Sequence, residues 1–307
     1  MRFVRYDRDG GEVQLAVVSG GRFRVLLGHT DLLPLIESGE NALLEAGREA
    51  EASGEVVDPA SVRILSPLDA PPTFRDFYAF EQHVRAGRAW RGLEMDPVWY
   101  ELPIFYFSNP YAFRGDGEVP MTPGAAKFDF ELEVAAVIGK AGSNLSVEEA
   151  GDHIIGYCVL NDWSGRDVQQ REMTLSMGPV KGKDTATSLG PYLVTKDELA
   201  PFARANGFDR SMTLTVNGRL YSTANWADVH WSFPQMISYA SRGTQVRPGD
   251  VFGSGTCGTG CILELSRTHS EQEYPWLKVG DQVVAAVEGL GSLRNTIVAA
   301  DPVLPLS

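Results

Sequence analysis

The sequence predicts a β-rich α+β protein, in which a small β-rich N-terminal module precedes a larger mixed domain. Three observations predict it. Short alternating runs of apolar residues separated by glycine pairs fill the first 30 residues. A proline-rich stretch, Ser66-Pro67-Leu68-Asp69-Ala70-Pro71-Pro72, then ends regular structure and stiffens a connection. Beyond residue 210 strand patterns dominate, and an Asn217-Gly218 hairpin signal joins two of them.

The elements follow in order. Residues 3–6, 13–18 and 23–27 read as strands, with turns at Asp9-Gly10-Gly11 and Gly20-Gly21. Residues 31–52 read as helical, interrupted near Gly39, and residues 62–65 as one more strand. This places a first domain at 1–66 and a second at 73–307. Residues 73–93 include a helix carrying His83. Residues 96–113 are dense in aromatics, which more often serve a core or a subunit interface than a ligand cage. Ser146-Val147-Glu148-Glu149 is a capping box that opens a short helix. Residues 154–160 read as a buried strand that exits through Asn161-Asp162-Trp163-Ser164. A helix beginning near Ser164 carries Arg166, Gln169 and Gln170. Residues 233–241 form a helix that Gly243 ends. Arg247-Pro248-Gly249-Asp250 and Val279-Gly280-Asp281 are turns that launch strands. Residues 261–265 read as a further strand.

Composition bounds the function. At 307 residues the chain can bury a sizeable core. A net charge of −13 argues against a general nucleic-acid binder, which needs a basic surface to displace counterions. No apolar run approaches the ~20 residues of a membrane span. The start, Met-Arg-Phe-Val-Arg-Tyr-Asp, has no apolar signal-peptide core, so a cytoplasmic protein without membrane contact is expected. Cys257 and Cys261 lie close together, but no other cysteine or histidine stands in register. That makes a weak zinc case, and buried thiols in a reducing compartment fit better.

Residues 127–139 carry the strongest chemical signal. In a strand, Asp129, Glu131 and Glu133 share one face, and Phe130, Leu132 and Val134 share the other. Three carboxylates in a row repel unless water or a cation separates them. The row is therefore either a solvated outer face or a site for a hard divalent cation. Asp162, Arg166 and Gln169 place an acid, a cation and an amide just past a buried strand; a capped surface helix would use the same residues. Lys181-Gly182-Lys183-Asp184 is either a close approach to a bound group or an exposed turn. Gly253-Ser254-Gly255-Thr256-Cys257-Gly258 matches a dinucleotide fingerprint in spacing alone, because no helix pattern follows it. It remains a candidate glycine-rich loop against a ligand. Glu264, inside an apolar run, either faces solvent or is buried with a partner such as a histidine.

These pieces together resemble the fumarylacetoacetate hydrolase family. The matching stretches are Asp-Phe-Tyr-x-x-Glu-Gln-His at 76–83, Asp-x-Glu-Leu-Glu at 129–133 and Asn-Asp-Trp-Ser-Gly-Arg-Asp-Val-Gln at 161–169. Gly-Pro-x-x-Gly-Lys at 178–183, Arg-Pro-Gly-Asp at 247–250, Gly-Ser-Gly-Thr at 253–256 and Leu-Glu-Leu at 263–265 follow in the same order. The resemblance implies a mixed β-sandwich roll, commonly a homodimer, and residues 96–113 are the candidate interface. It implies Mg²⁺, or Mn²⁺ or Ca²⁺, held by Asp76, Glu131, Glu133 and Asp162, with Asp129 as a neighbour. It implies His83 as general base paired with Glu264, an oxyanion set of Arg166, Gln169 and Lys183, and substrate contacts from Tyr78, Tyr111 and Thr256.

Two departures stand out. Met173 occupies a position where the parent hydrolase has a substrate-pocket tyrosine, and Arg88 and Arg91 both compete for the role of a substrate-binding arginine. The acylpyruvase and decarboxylase relatives pair the histidine with a glutamate three residues on, where this chain has Ala86. The implied function is metal-dependent hydrolysis of a carbon–carbon bond in a β-diketo or acylpyruvate-type acid, a small-molecule keto acid. The alternatives are decarboxylation, hydration or isomerisation of a 2-keto acid through the same metal-held enolate.

Overall fold

Two neighbouring strands without an exposed residue form the spine of the structure. Leu132–Ile138 and Ile154–Asp162 pair antiparallel, and every residue of both is buried. Strands buried on both faces need apolar partners on both sides. Leu132, Val134, Ala136 and Ile138 join one apolar cluster, and Ala135 and Val137 join another. The computed structural model describes residues 1–8, 11–90 and 92–304. Asp9 and Gly10 of the expected Asp9-Gly10-Gly11 turn, and the candidate Arg91, fall outside that set.

The spine lies inside a twelve-stranded sheet. Its main path runs Val56–Val57, Arg22–Val25, Val13–Ser19, Arg2–Asp7, Thr187–Thr195, Ile154–Asp162, Leu132–Ile138, Val251–Gly253, Phe74–Phe77 and Phe105–Ser108. A second, five-stranded sheet runs Arg219–Asn225, Ser211–Val216, Gln282–Val287, Gly291–Val298 and Gly117–Pro120. Asn217 and Gly218 both take positive φ, as a two-residue hairpin turn requires. The larger apolar cluster draws on both sheets, with Val134 and Val159 from one and Leu214, Val283 and Leu293 from the other. This is the β-rich α+β sandwich expected. Among the described residues, no helix is long and apolar enough to cross a membrane.

Among the described residues, the N-terminal segment forms no separate sheet. Arg2 and Phe3 pair with Val194 and Leu193, so its strands extend the central sheet. Its helices Leu33–Glu37 and Glu40–Ser53 flank Gly39, and Leu15, Leu35 and Leu43 share a cluster with Leu189 and Leu193.

Two elements differ from expectation. The 127–139 strand is broken: Phe128–Asp129 pairs with Ser164–Gly165, and Leu132–Ile138 begins anew in the large sheet. All three of its acids are buried, which excludes a solvated face. The expected strand at 261–265 is the helix Ile262–Thr268. A short apolar run does not distinguish strand from helix by period. Capping decides it here. Cys261 Sγ accepts the Glu264 N–H at 3.4 Å, and Asp129 accepts the N–H groups of Ile262 and Leu263 at 2.7 and 3.0 Å. Trp163, fully buried, stacks on Phe128 at 5.8 Å and thereby braces the segments that carry Asp129 and Asp162.

Candidate active site

A cavity of about 870 Å³ opens where the ends of the central strands meet three helices. Its floor is acidic. Asp76 comes from Phe74–Phe77, Glu133 from Leu132–Ile138, and Glu131 from the break just before that strand. One oxygen from each of the three lies within 4.8 Å of the others. Asp162 closes the spine's second strand and reaches the same place through shared partners. Lys183 Nζ binds both Glu131 and Asp162, the latter at 2.7 Å. The turn carrying Lys183 is not exposed: a Cβ on Gly182 would stand 2.7 Å from the Gln169 backbone nitrogen, so only glycine lets it press against that helix.

Sequence reasoning missed Tyr106. Its Oη lies 2.9 Å from Asp76 Oδ2 and 2.7 Å from Asp162 Oδ2. It stands among the aromatics at 96–113, and nothing in that run separates a polar bridge from a core ring. One phenol proton cannot serve two carboxylates, so without a cation the second contact needs a proton on one of them. Burial, and then the charge of Asp162, push Asp76 up to about 7, and burial raises Asp162 as well, so either carboxyl can carry that proton. Burial also pushes Glu133 well above the carboxylate range, with Asp76 adding to the shift. Burial works the same way on Glu131, but Lys183, Arg166 and His83 outweigh it and hold that carboxyl at about 2.

The wall carries an imidazole, a carboxylate and a guanidinium. His83 lies on the helix Glu81–Trp90, and its Nδ1 is 2.8 Å from Oε2 of Glu264 on Ile262–Thr268. Glu264 Oε1 accepts the Thr259 N–H at 2.9 Å, which fixes the carboxylate. Arg166, at the start of Arg166–Met173, donates from Nε to Asp129 at 2.7 Å and pairs through Nη2 with Glu131 at 2.7 Å. Its Nη1 donates to the Gln169 side chain at 3.2 Å. Asp129 is thus bound to Arg166 and to a helix terminus, outside the acidic triad. Tyr78, Thr256 and Met173 line the cavity. Tyr111 does not: it is 83% exposed and outside the cavity of this single chain. Arg88 is not a cavity residue either; its Nε donates to the Glu94 carbonyl at 2.6 Å.

A family model described as "Fumarylacetoacetate (FAA) hydrolase C-terminal" matches residues 73–298. The chain belongs to the fumarylacetoacetate hydrolase family. A second model, "Rv2993c-like, N-terminal", matches residues 1–67. Fumarylacetoacetase from Arabidopsis thaliana is 31% identical over 75% of this chain and 70% of its own length. The oxaloacetate tautomerase YisK of Bacillus subtilis is 30% identical over 78% of this chain and 74% of its own. A fumarylacetoacetate hydrolase structure from Exiguobacterium antarcticum superposes with a TM-score of 0.77 at 24% identity, covering 97% of this chain and 99% of that one. Maleylpyruvate hydrolase from Sphingobium sp. SYK-6, in complex with manganese(II) and pyruvate, gives 0.73 at 22% identity, covering 98% and 100%. The members matched are enzymes, hydrolases and tautomerases among them, so the family covers more than one reaction.

The acidic floor fits a divalent cation. Asp76 Oδ1 and Glu133 Oε1 are buried and, among the described residues, have no hydrogen-bond partner. Orphaned buried oxygens are costly, and a cation satisfies them. Gly253 leaves the room: a Cβ there would collide with Asp76 Oδ1 and stand 3.2 Å from Glu133 Oε2. Of the four floor carboxylates, Lys183 and the shared Arg166 pair with Glu131 and Asp162 only, and a 2+ ion would supply the positive charge that Asp76 and Glu133 need to ionise.

Proposed function

We propose that this chain is a metal-dependent hydrolase that cleaves a carbon–carbon bond in a β-diketo or acylpyruvate-type acid. The observation that carries this is the buried His83–Glu264 pair, 2.8 Å apart, in the wall of a cavity whose floor is a carboxylate triad. A hard divalent cation, Mg²⁺ or Mn²⁺, held by Asp76, Glu131 and Glu133 with Asp162 alongside, supplies Lewis acidity to the dicarbonyl end of the substrate. Glu264 fixes the imidazole tautomer through Nδ1 and stabilises the imidazolium. The opposite ring nitrogen of His83 then takes a proton from water, whose oxygen attacks the remote carbonyl carbon. Gln169, held by Arg166, and Lys183 supply the donors and positive charge for the tetrahedral oxyanion. As the oxyanion collapses, the carbon–carbon bond breaks and its electron pair leaves on the α-carbon as the substrate's enolate. His83 returns the proton to that carbon, and two acids leave. Tyr78 and Thr256 line the same cavity, which supports a role for them in contacting the acid.

A second reading has its own support, the 30% identity to an oxaloacetate tautomerase. Removing a proton beside a carbonyl needs the same base and floor. A panel of acylpyruvates and 3-acyl-2-keto acids, assayed with and without chelator, separates the readings. Water added across two acid products supports the hydrolase. Unchanged mass with enol–keto conversion sinks it in favour of a tautomerase, and released CO₂ in favour of a decarboxylase.

Ile104, Phe107 and Tyr111 are exposed in the aromatic segment, which supports a homodimer formed through it. A monomer at micromolar concentration by light scattering would count against that. The three free, buried cysteines fit a reducing compartment and support a cytoplasmic location.

A further inference from the structure

We propose that His83, Cys261 and Glu264 form a second metal site, one that takes Zn²⁺ and, when filled, disables the dyad. One ligand atom from each of the three lies within 4.8 Å of the others, and all three residues are buried. Imidazole nitrogen, thiolate and carboxylate are zinc donors, with bonds of ~2.0–2.3 Å in a tetrahedral set. Donors at that radius stand ~3.3–3.8 Å apart, so small side-chain rotations that part His83 from Glu264, now 2.8 Å apart, and bring Cys261 in would fit this set to an ion. The cavity, which His83 and Glu264 line, provides the route in and water for the fourth position. A thiolate and a carboxylate neutralise a 2+ ion, which offsets the cost of placing it in a buried site.

Ligand softness separates the two sites. Asp76, Glu131 and Glu133 offer only oxygen and suit a hard cation, whereas the Cys261 sulfur selects a softer one. Cys261 caps Ile262–Thr268, and serine does that better, so capping alone does not require a thiol. Burial pushes the free thiol well above its usual range and keeps it protonated. On binding, the S–H bond breaks, a Zn–S bond forms and the proton leaves to water. An ion on the Nδ1 that faces Glu264 forces the ring proton onto the opposite nitrogen, which then has no lone pair left to take a proton from water. That inhibitory consequence rests on the hydrolase reading; the binding does not.

The test titrates Co²⁺ into the protein with Mg²⁺ in excess, so that the floor is filled. A thiolate-to-cobalt charge-transfer absorption in the near ultraviolet, saturating at one equivalent, is expected in the wild type and absent in Cys261→Ser. Zn²⁺ should displace the Co²⁺, and its affinity should fall more than about 100-fold in the variant, beyond the ~10–100-fold cost of an outer-shell change. Cys261→Ser keeps the helix cap and should turn over normally with Mg²⁺, with Zn²⁺ inhibition shifted to correspondingly higher concentration. A wild-type protein that binds Co²⁺ without thiolate absorption, or equal Zn²⁺ affinity in both proteins, overturns the proposal. Should the chain prove not to be a hydrolase, the cobalt spectrum still decides the site.

Discussion

The floor of the cavity is made of strands and the wall of helices, and the two carry different kinds of chemistry. The floor acids sit on or beside Phe74–Phe77, Leu132–Ile138 and Ile154–Asp162, whose backbones are hydrogen-bonded within the central sheet. The wall groups sit on Glu81–Trp90, Arg166–Met173 and Ile262–Thr268, short helices at the edge of the sheets. Along this wall Met173 is 45% exposed, whereas Glu133 and Asp162 are fully buried. A rigid floor fixes where positive charge must sit. A wall of short helices can change residues, and with them the acid accepted, without disturbing that floor.

The largest expected effect breaks the floor. Glu133→Gln should abolish Mn²⁺ binding by calorimetry and drop turnover to background. Undiminished turnover with unchanged Mn²⁺ affinity would remove Glu133 from the site. His83→Ala breaks the wall alone. It should lower kcat about 10²–10⁴-fold, the usual worth of a general base, while Mn²⁺ affinity stays that of the wild type. A variant that hydrolyses normally when metal-loaded would sink the base assignment. Gly253→Ala sharpens the comparison from the backbone side, because the new methyl pushes on Asp76 Oδ1. Mn²⁺ affinity should weaken ~10–100-fold, and unaltered affinity would show that the floor can move.

The smallest effect isolates burial from charge pairing. Asp116, outside the cavity, is pushed up to about 6 by burial, against the Arg294 N–H it accepts. Its folded pKa exceeds the unfolded value near 3.8, so folding favours the protonated form. The stability this lends is complete below about pH 4 and lost as pH rises through about 6. Asp116→Asn keeps an acceptor for Arg294 and removes the penalty. It should therefore stabilise the protein above pH 6 by at most about 3 kcal/mol, at ~1.36 kcal/mol per pKa unit between 3.8 and about 6 and less where solvent screens the half-buried group, and not below pH 4. Equal melting shifts at pH 4 and pH 7 would show that ionisation is not the cause.

Much of the floor was legible in the sequence because a strand's period of two is easy to read. Glu131 and Glu133 share a face whatever they bind, and a buried strand ending in Asp162 announces itself by composition. The expectation failed where local pattern and tertiary partner disagree. Residues 261–265 lack a helical signal long enough to read, and the decisive cap comes from Asp129, over a hundred residues earlier. Tyr106 looked like any other ring in an aromatic run. Cys261 was weighed against Cys257, its sequence neighbour, whereas its nearest ligand-type groups include His83 from a distant helix. Spacing along the chain says little about donors that only folding brings together.

The pairing of Arg2 and Phe3 with Val194 and Leu193 has a practical consequence. Thr187–Thr195 lies next to the strand that carries Asp162, and its Thr187 hydroxyl donates to that carboxylate at 3.3 Å. Cutting away residues 1–66 would do more than discard an accessory piece. It would bare backbone donors and acceptors on a strand of apolar side chains one step from the cavity, a template for edge-to-edge aggregation. The first strand is therefore a cover for that edge, and shortened versions of the chain should fail by clumping before they fail by losing the cation.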